Sequence, residues 1–303
     1  VTARADTEIY RRFRGTIRPR RAGFLALAGA GIAAASRKKL PLVILFAPPT
    51  IATVIFGFVV YARFSLEAGV TPSALGEPTP VSAIAGSVAK TLIHVKDQIV
   101  LFHLALSGFT LLVIAWFGAG LVAEDRRSGA HLLYFSRPLS PRGYLAARFT
   151  TLLFFGLLAV LVPSLVICLV ATFASPEWSF LKQEGRVVPV AILFSLLWAG
   201  VWSSVQLAIS SLFRRKTFAL VASFAGFMIT GAVSAMLAGL NRDPAWLQLS
   251  LQGEFRYIAA WAFESRLLRD LGDPTWSFVG VALVTLVSWI VLFVQVRKME
   301  AAV

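Results

Sequence analysis

Six apolar stretches, each close to or above the roughly 20 residues a helix needs to cross a bilayer, alternate with segments that hold nearly all the charge. They cover residues 40–62, 99–122, 149–174, 187–213, 217–240 and 276–296. Inside lipid a spanning segment must satisfy its own backbone, so each is predicted to be an α-helix. The expected fold is an all-α polytopic membrane protein with six transmembrane helices. Pro48, Pro49 and Pro163 fall inside predicted spans and are read as kinks rather than breaks.

Charge then orients the spans. With the N-terminus on the cytoplasmic side, the inner segments carry 20 Lys and Arg and the outer segments 9, while the acids divide 5 to 10 the other way. Every inner junction is basic, as the positive-inside rule requires. Both termini are therefore expected in the cytoplasm. The chain is 57% hydrophobic and 15% charged, and its net charge of +14 follows membrane sidedness rather than nucleic-acid binding. The single cysteine, Cys168, excludes a disulfide framework within the chain and any cysteine metal cluster.

The connecting segments predict further elements. Residues 1–39 form a cytoplasmic N-terminal segment. Within it, 19–36 imitate a twin-arginine export signal, but the run is short and meets Arg37, Lys38 and Lys39 at once. An amphipathic helix in the inner interface is the expected structure. Outer segment 63–98 opens with turn material and becomes helix-like from Val81. Outer segment 241–275 predicts an amphipathic helix over 254–272, with Phe255, Ile258, Ala259, Ala262 and Leu267 on one face. The tryptophans and Tyr257 around it suit a membrane interface.

Candidate chemistry is sparse. No P-loop motif occurs. His94, Asp97 and His103 offer thin support for a metal. Glu124 and Asp125 are adjacent rather than spaced, and Arg126 and Arg127 follow to neutralise them. Gln206 and its neighbouring serines suit hydrogen bonding between helices as well as a substrate path. No charge falls in mid-span, which argues against ion-coupled transport. In the fifth predicted span Ala222, Gly226, Thr230, Ser234 and Ala238 recur every four residues, with Gly231 and Ala235 in an adjacent row. Small residues at that spacing allow close helix contact, within one subunit, at a subunit interface or along a pore.

The segment between the second and third spans, 123–148, is larger than a connector needs to be. Physically it is a helix end, a turn at Gly129, a short apolar piece at Leu132, Leu133, Tyr134 and Phe135, a stop at Pro138, and a helix start capped by Ser140 before Pro141. An apolar knob ringed by Arg126, Arg127, Arg137 and Arg142 suits a docked protein. The arginines alone also suit anionic lipid.

Here the chain resembles the permease subunits of ABC-2 type ATP-driven exporters. Their pattern is an acidic start, Gly-Thr-Leu-Glu, an apolar stretch, Pro-x-Ser-Arg, and Gly-Lys entering the third span. This chain matches at Glu124, Gly129, Leu133, Pro138, Ser140 and Leu145. Ala130 stands for the Thr, Leu132 for the Glu, and Ala147 and Arg148 for Gly-Lys, while Arg142 sits one place late. The resemblance implies a six-span permease domain over 40–303 in the bacterial cytoplasmic (inner) membrane, with 123–148 as the segment that couples to the ATPase. It also implies two cytosolic ATPase subunits that bind ATP and Mg, a permease homodimer or pseudo-dimer, and no cofactor or catalytic residue in this chain. The cargo expected from uncharged spans is amphiphilic or lipid-like. A membrane scaffold, and a lipid-modifying enzyme, are the alternatives.

Overall fold

The computed structural model describes residues 23–37, 39–67, 93–135 and 140–301. These residues fold as α-helices, short 3-10 turns and loops, with no strand among them. Ten helices are named here: α1 (Gly23–Ser36), α2 (Lys39–Glu67), α3 (Val95–Ser128), α4 (Ala130–Phe135), α5 (Pro141–Ala174), α6 (Ser179–Glu184), α7 (Val187–Leu212), α8 (Lys216–Asn241), α9 (Leu251–Ala262) and α10 (Thr275–Glu300). Six of them, α2, α3, α5, α7, α8 and α10, are long and apolar enough to cross a membrane.

All six coincide with the apolar runs, and all but α7, which ends one residue short at Leu212, extend past them, because a helix need not stop where the side chains turn polar. Helix α2 continues through Pro48 and Pro49, and α5 through Pro163. The core lies where α3, α5 and α7 meet, with α2 and α10 against it on the outside. Close approach there depends on small residues. A Cβ at Gly118 of α3 would sit 2.5 Å from Gln206 Cγ and 2.6 Å from Leu152 Cδ2. Ser210 of α7 donates to the Ala119 carbonyl at 2.8 Å, which is the inter-helix hydrogen bonding expected of the serines around Gln206.

Helix α1 packs on α5, where the Thr151 hydroxyl reaches the Ala28 carbonyl and Gly31 fits against the same threonine. It is not two-faced as expected. Its sequence, GFLALAGAGIAAAS, contains no charge, and what decides its position is a groove of small residues rather than polarity.

The segment after α8 also differs from expectation. A 3-10 turn (Pro244–Leu249) leads into α9, which starts earlier than predicted because Ser250 caps it, accepting from Gly253 N at 3.1 Å. It ends at Ala262 in a Schellman turn: Ser265 N donates to the Ala260 carbonyl and Glu264 N to the Trp261 carbonyl, with Glu264 at φ 49°. The turn delivers the Ser265 hydroxyl and Arg266 N to the buried Asp97 carboxylate, at 2.6 and 3.2 Å. Leu267 lies beyond the helix and is exposed. Helix α9 is two-faced as expected: Glu254, Phe255, Ile258 and Ala259 are buried against the bundle, mainly along α10, while Arg256 and Trp261 are exposed. The helix predicted from Val81 lies outside the described residues.

Candidate functional site

Local chemistry builds the turn between α3 and α5. Gly129 ends α3 at φ 71°, in the left-handed region where glycine carries no Cβ penalty. The chain then doubles into α4. On the far side Ser140 accepts from Gly143 N at 3.1 Å and Pro141 occupies the first turn, so α5 starts where the capping pattern placed it. Arg137 and Pro138 lie outside the described residues.

A buried polar cluster ties this turn to the bundle. Asp125 Oδ2 accepts from the Tyr144 hydroxyl at 2.6 Å and from Arg148 Nη2. Asp125 is 9% exposed and Arg148 6%, so the ion pair is largely out of water. Arg148 also donates to the Tyr134 hydroxyl at 3.4 Å, and its guanidinium carbon lies 5.6 and 5.4 Å from the Tyr134 and Tyr144 ring centres. His131 Nδ1 is 3.0 Å from the Asp125 carbonyl. These contacts fasten α4 to both α3 and α5.

The neutralisation of Asp125 by Arg126 and Arg127 is therefore corrected. Neighbouring residues on a helix point in different directions. Arg126 instead donates to the Ser211 carbonyl at the end of α7, while Arg127 and Glu124 are exposed. The partner of Asp125 is Arg148, which stands where the family pattern has its lysine. The signal for that pair was three-dimensional, since α3 and α5 face each other and bring positions 125, 144 and 148 together.

Of the apolar knob, Tyr134 is half-buried over Arg148, whereas Leu132 is 42% exposed. Leu133 and Phe135 occupy backbone positions on α4. Arg142 is exposed at the start of α5. Among the described residues of this turn, Glu124, Arg127, Ser128, Leu132, Ser140 and Arg142 are exposed.

The small-residue rows of α8 are split. Ser234 is buried and donates to Ser250 Oγ at 2.9 Å, so it serves the start of α9. Gly231 is half-buried against Gln252, and Ala222 and Ala238 are half-buried. Gly226, Thr230 and Ala235 are exposed, and nothing lies within 4 Å of a Cβ built at Gly226. Packing within the subunit therefore does not account for the middle of the row.

The remaining candidates do not converge. His94 faces Glu184 at 3.4 Å, Asp97 holds Ser265, and His103 Nδ1 donates to the Ile99 carbonyl at 2.8 Å amid Phe194 and Phe263. Among the described residues no group of three His, Cys, Asp or Glu side chains could hold a metal.

Six apolar helices with an enlarged segment between the second and third are the layout that the resemblance implies. The family model described as ABC-2 family transporter protein matches residues 66–296, from the last turn of α2 to the last turns of α10. The chain belongs to the ABC-2 transporter family. A comparison with curated proteins gave no match. Family membership and the helical bundle together make this chain a transmembrane permease component of an ABC transporter, a family that works with an ABC ATPase.

Proposed function

We propose that this ABC-2 permease couples to two cytosolic ATPase subunits through α4 and the flanking turn, and moves an amphiphilic or lipid-like cargo, itself performing no catalysis. The observation that carries the reading is the Asp125–Tyr144–Arg148 cluster. Buried contacts of this kind hold α4 to α3 and α5 as one body, and Arg126 extends the tie to α7. A push on α4 by an ATPase closing around ATP and Mg is then passed to three spans at once. The uncovered middle of the α8 row supports a second permease copy, or a homologous partner, packed there.

The basic inner segments favour cytoplasmic termini and a bacterial inner membrane, since positive charge stays on the side of synthesis. Uncharged span interiors favour an amphiphile over an ion. Leu132→Asp tests the docking surface without touching the cluster. An interface closed over an unpaired carboxylate loses several kcal/mol, on the order of 3–5. The variant is expected to insert and fold normally, yet to lose ATPase co-purification and cargo-stimulated ATP hydrolysis. Normal assembly and hydrolysis by this variant would sink the docking assignment and leave a membrane scaffold as the better reading.

A further inference from the structure

Helices α3 and α7 lie side by side over most of a span. At one end the His103 ring is 4.9 Å from the Phe194 ring; at the other Gly118 meets Gln206, and Ser210 bonds to Ala119. The intervals 103–119 and 194–210 are both 16 positions, so the helices run parallel and in register for about 24 Å. Inside an apolar bundle, where lipid supplies no partners, polar groups along such a seam are expected to be paired. Here several are not. His103 Nε2, Ser195 Oγ, Trp202 Nε1 and Gln206 Nε2 are buried without a hydrogen-bond partner among the described residues. Ser195, Trp202 and Gln206 are spaced by seven and four positions, which sets them on one face of α7. The contact of Gln206 with Gly118 identifies that face as the one toward α3.

The orphaned atoms at the α9 end are chemically complementary. Because His103 Nδ1 donates to the Ile99 carbonyl, Nε2 of the neutral ring presents a lone pair. Trp202 presents an N–H that can only donate. A molecule that both donates and accepts suits the two together. His103 and Trp202 line one cavity of about 20 Å³, walled by Phe194, Trp198, Phe227 and Phe255. A water needs about 10–15 Å³ of such space, so the cavity has room for a water and not for a lipid headgroup or a cargo molecule. Ser107, whose hydroxyl donates to the Leu104 carbonyl at 3.0 Å, adds an acceptor to the lining. Gln252 and the exposed Arg256 of α9 complete it, giving water a polar way in.

We propose that the α3–α7 seam is bonded through water at its α9 end, with one ordered water in this cavity donating to His103 Nε2 and the Trp202 N–H facing the same hydrated space. The consequence is mechanical. A direct hydrogen bond between two helices holds one register, whereas a water exchanges partners as the helices shift. Helix α3 can then move against α7 and α9 without leaving a polar group bare. The site depends on neither the identity of the ATPase nor that of the cargo.

The test is radiolytic hydroxyl labelling of the full chain in detergent, read by mass spectrometry, with water itself as the probe. Radicals formed from a bound water oxidise the side chains around it, even where bulk solvent does not reach. Trp198 and Trp202 are expected to be labelled well above Cys168, a reactive thiol that is buried as they are. His103→Leu removes the acceptor, and Ala259→Val adds two methyl groups to the cavity wall from α9. Each should bring both tryptophans down to the level of Cys168. Labelling no higher than Cys168 in the unmodified chain would overturn the proposal, as would labelling that persists in either folded variant. The unmodified chain decides the presence of the water by itself, so a variant that fails to fold does not shield the proposal from refutation.

Discussion

Helices α7 and α8 are consecutive, both 26 residues long and joined by Phe213, Arg214 and Arg215, yet they occupy opposite situations. In α7, 56% of the most apolar stretch is buried; in α8 the figure is 17%. Both carry small residues. On α7 the serines and alanines are covered, as where Ser210 bonds to α3 and Ala199 meets Gly156 of α5. On α8 Gly226, Thr230 and Ala235 face outward with nothing over them. The same residue types therefore mean two things. Covered, they set the spacing of this subunit's own helices; uncovered, they are spare capacity for close contact, since a lipid-facing surface gains nothing from glycine.

The sharpest way to break this contrast is to enlarge a covered contact. Gly118→Leu drives a side chain into Gln206 and Leu152, and a loss of about 3 kcal/mol is expected, seen as a lower melting temperature and aggregation in detergent. A near-unchanged melting temperature would mean that the α3–α7 seam is loose. Asp125→Asn should cost a similar amount, about 3 kcal/mol, because Arg148 stays buried without its counter-charge. Combining Asp125→Leu with Arg148→Met should recover most of that stability but not the coupling to ATP hydrolysis. Recovery of both would show that the cluster is dispensable for transmission.

The uncovered side should respond differently. Gly226→Leu is expected to leave the isolated subunit's melting temperature intact and to weaken self-association by about 1–3 kcal/mol. Ala219 is unsuitable as a control, being fully buried within the subunit. Ala232, exposed and about 120° around α8 from Gly226, is the matched control, and Ala232→Leu should be close to silent in cross-linking and blue-native gels. Equal effects at the two positions would assign the row to lipid.

The smallest effect concerns α9. Glu254 is buried against α10, its Oε2 without a partner and its carboxylate filling the space that any side chain at Gly280 would need. Loss of hydration there raises its pKa from the usual 4.5 to about 7. The folded state holds this proton more tightly than the unfolded state. The stabilisation is therefore complete below about pH 4.5 and is lost as pH rises toward 7. Protection factors for amide exchange in α9, which remove the intrinsic base catalysis of exchange, should be lower at pH 8 than at pH 5, and Glu254→Gln should flatten the difference. A pH response that persists in the Gln variant would point to another group.

What the sequence disclosed follows from what is periodic or local. All six spans were legible because twenty apolar residues leave few alternatives to a helix. Gly129 and Ser140 were legible because caps are read from single residues. The end of α9 was not, since its left-handed position is held by Glu264, a residue with no propensity for it, and is repaid by the bonds to Asp97. Nor was the Asp125–Arg148 pair, whose members are 23 positions apart and meet only once α3 and α5 pack. The true character of α1 was hidden for a third reason: the arginines before it and the basic run after it suggested a polar face that the helix itself lacks.

Helix α3 connects the two ends of the molecule as a single rod. Its 34 residues place Asp97, held by the loop after α9, about 42 Å from Asp125 in the clamped turn. Such a rod acts as a lever. If the turn is held as a pivot, a tilt of about 5° carries the far end through about 4 Å by the helix rise alone. That is longer than a hydrogen bond, so the Ser265 and Arg266 contacts must travel with α3 or be released. Mechanical advantage, rather than a relay of side-chain rearrangements, would then join events at one membrane face to the opening of the other.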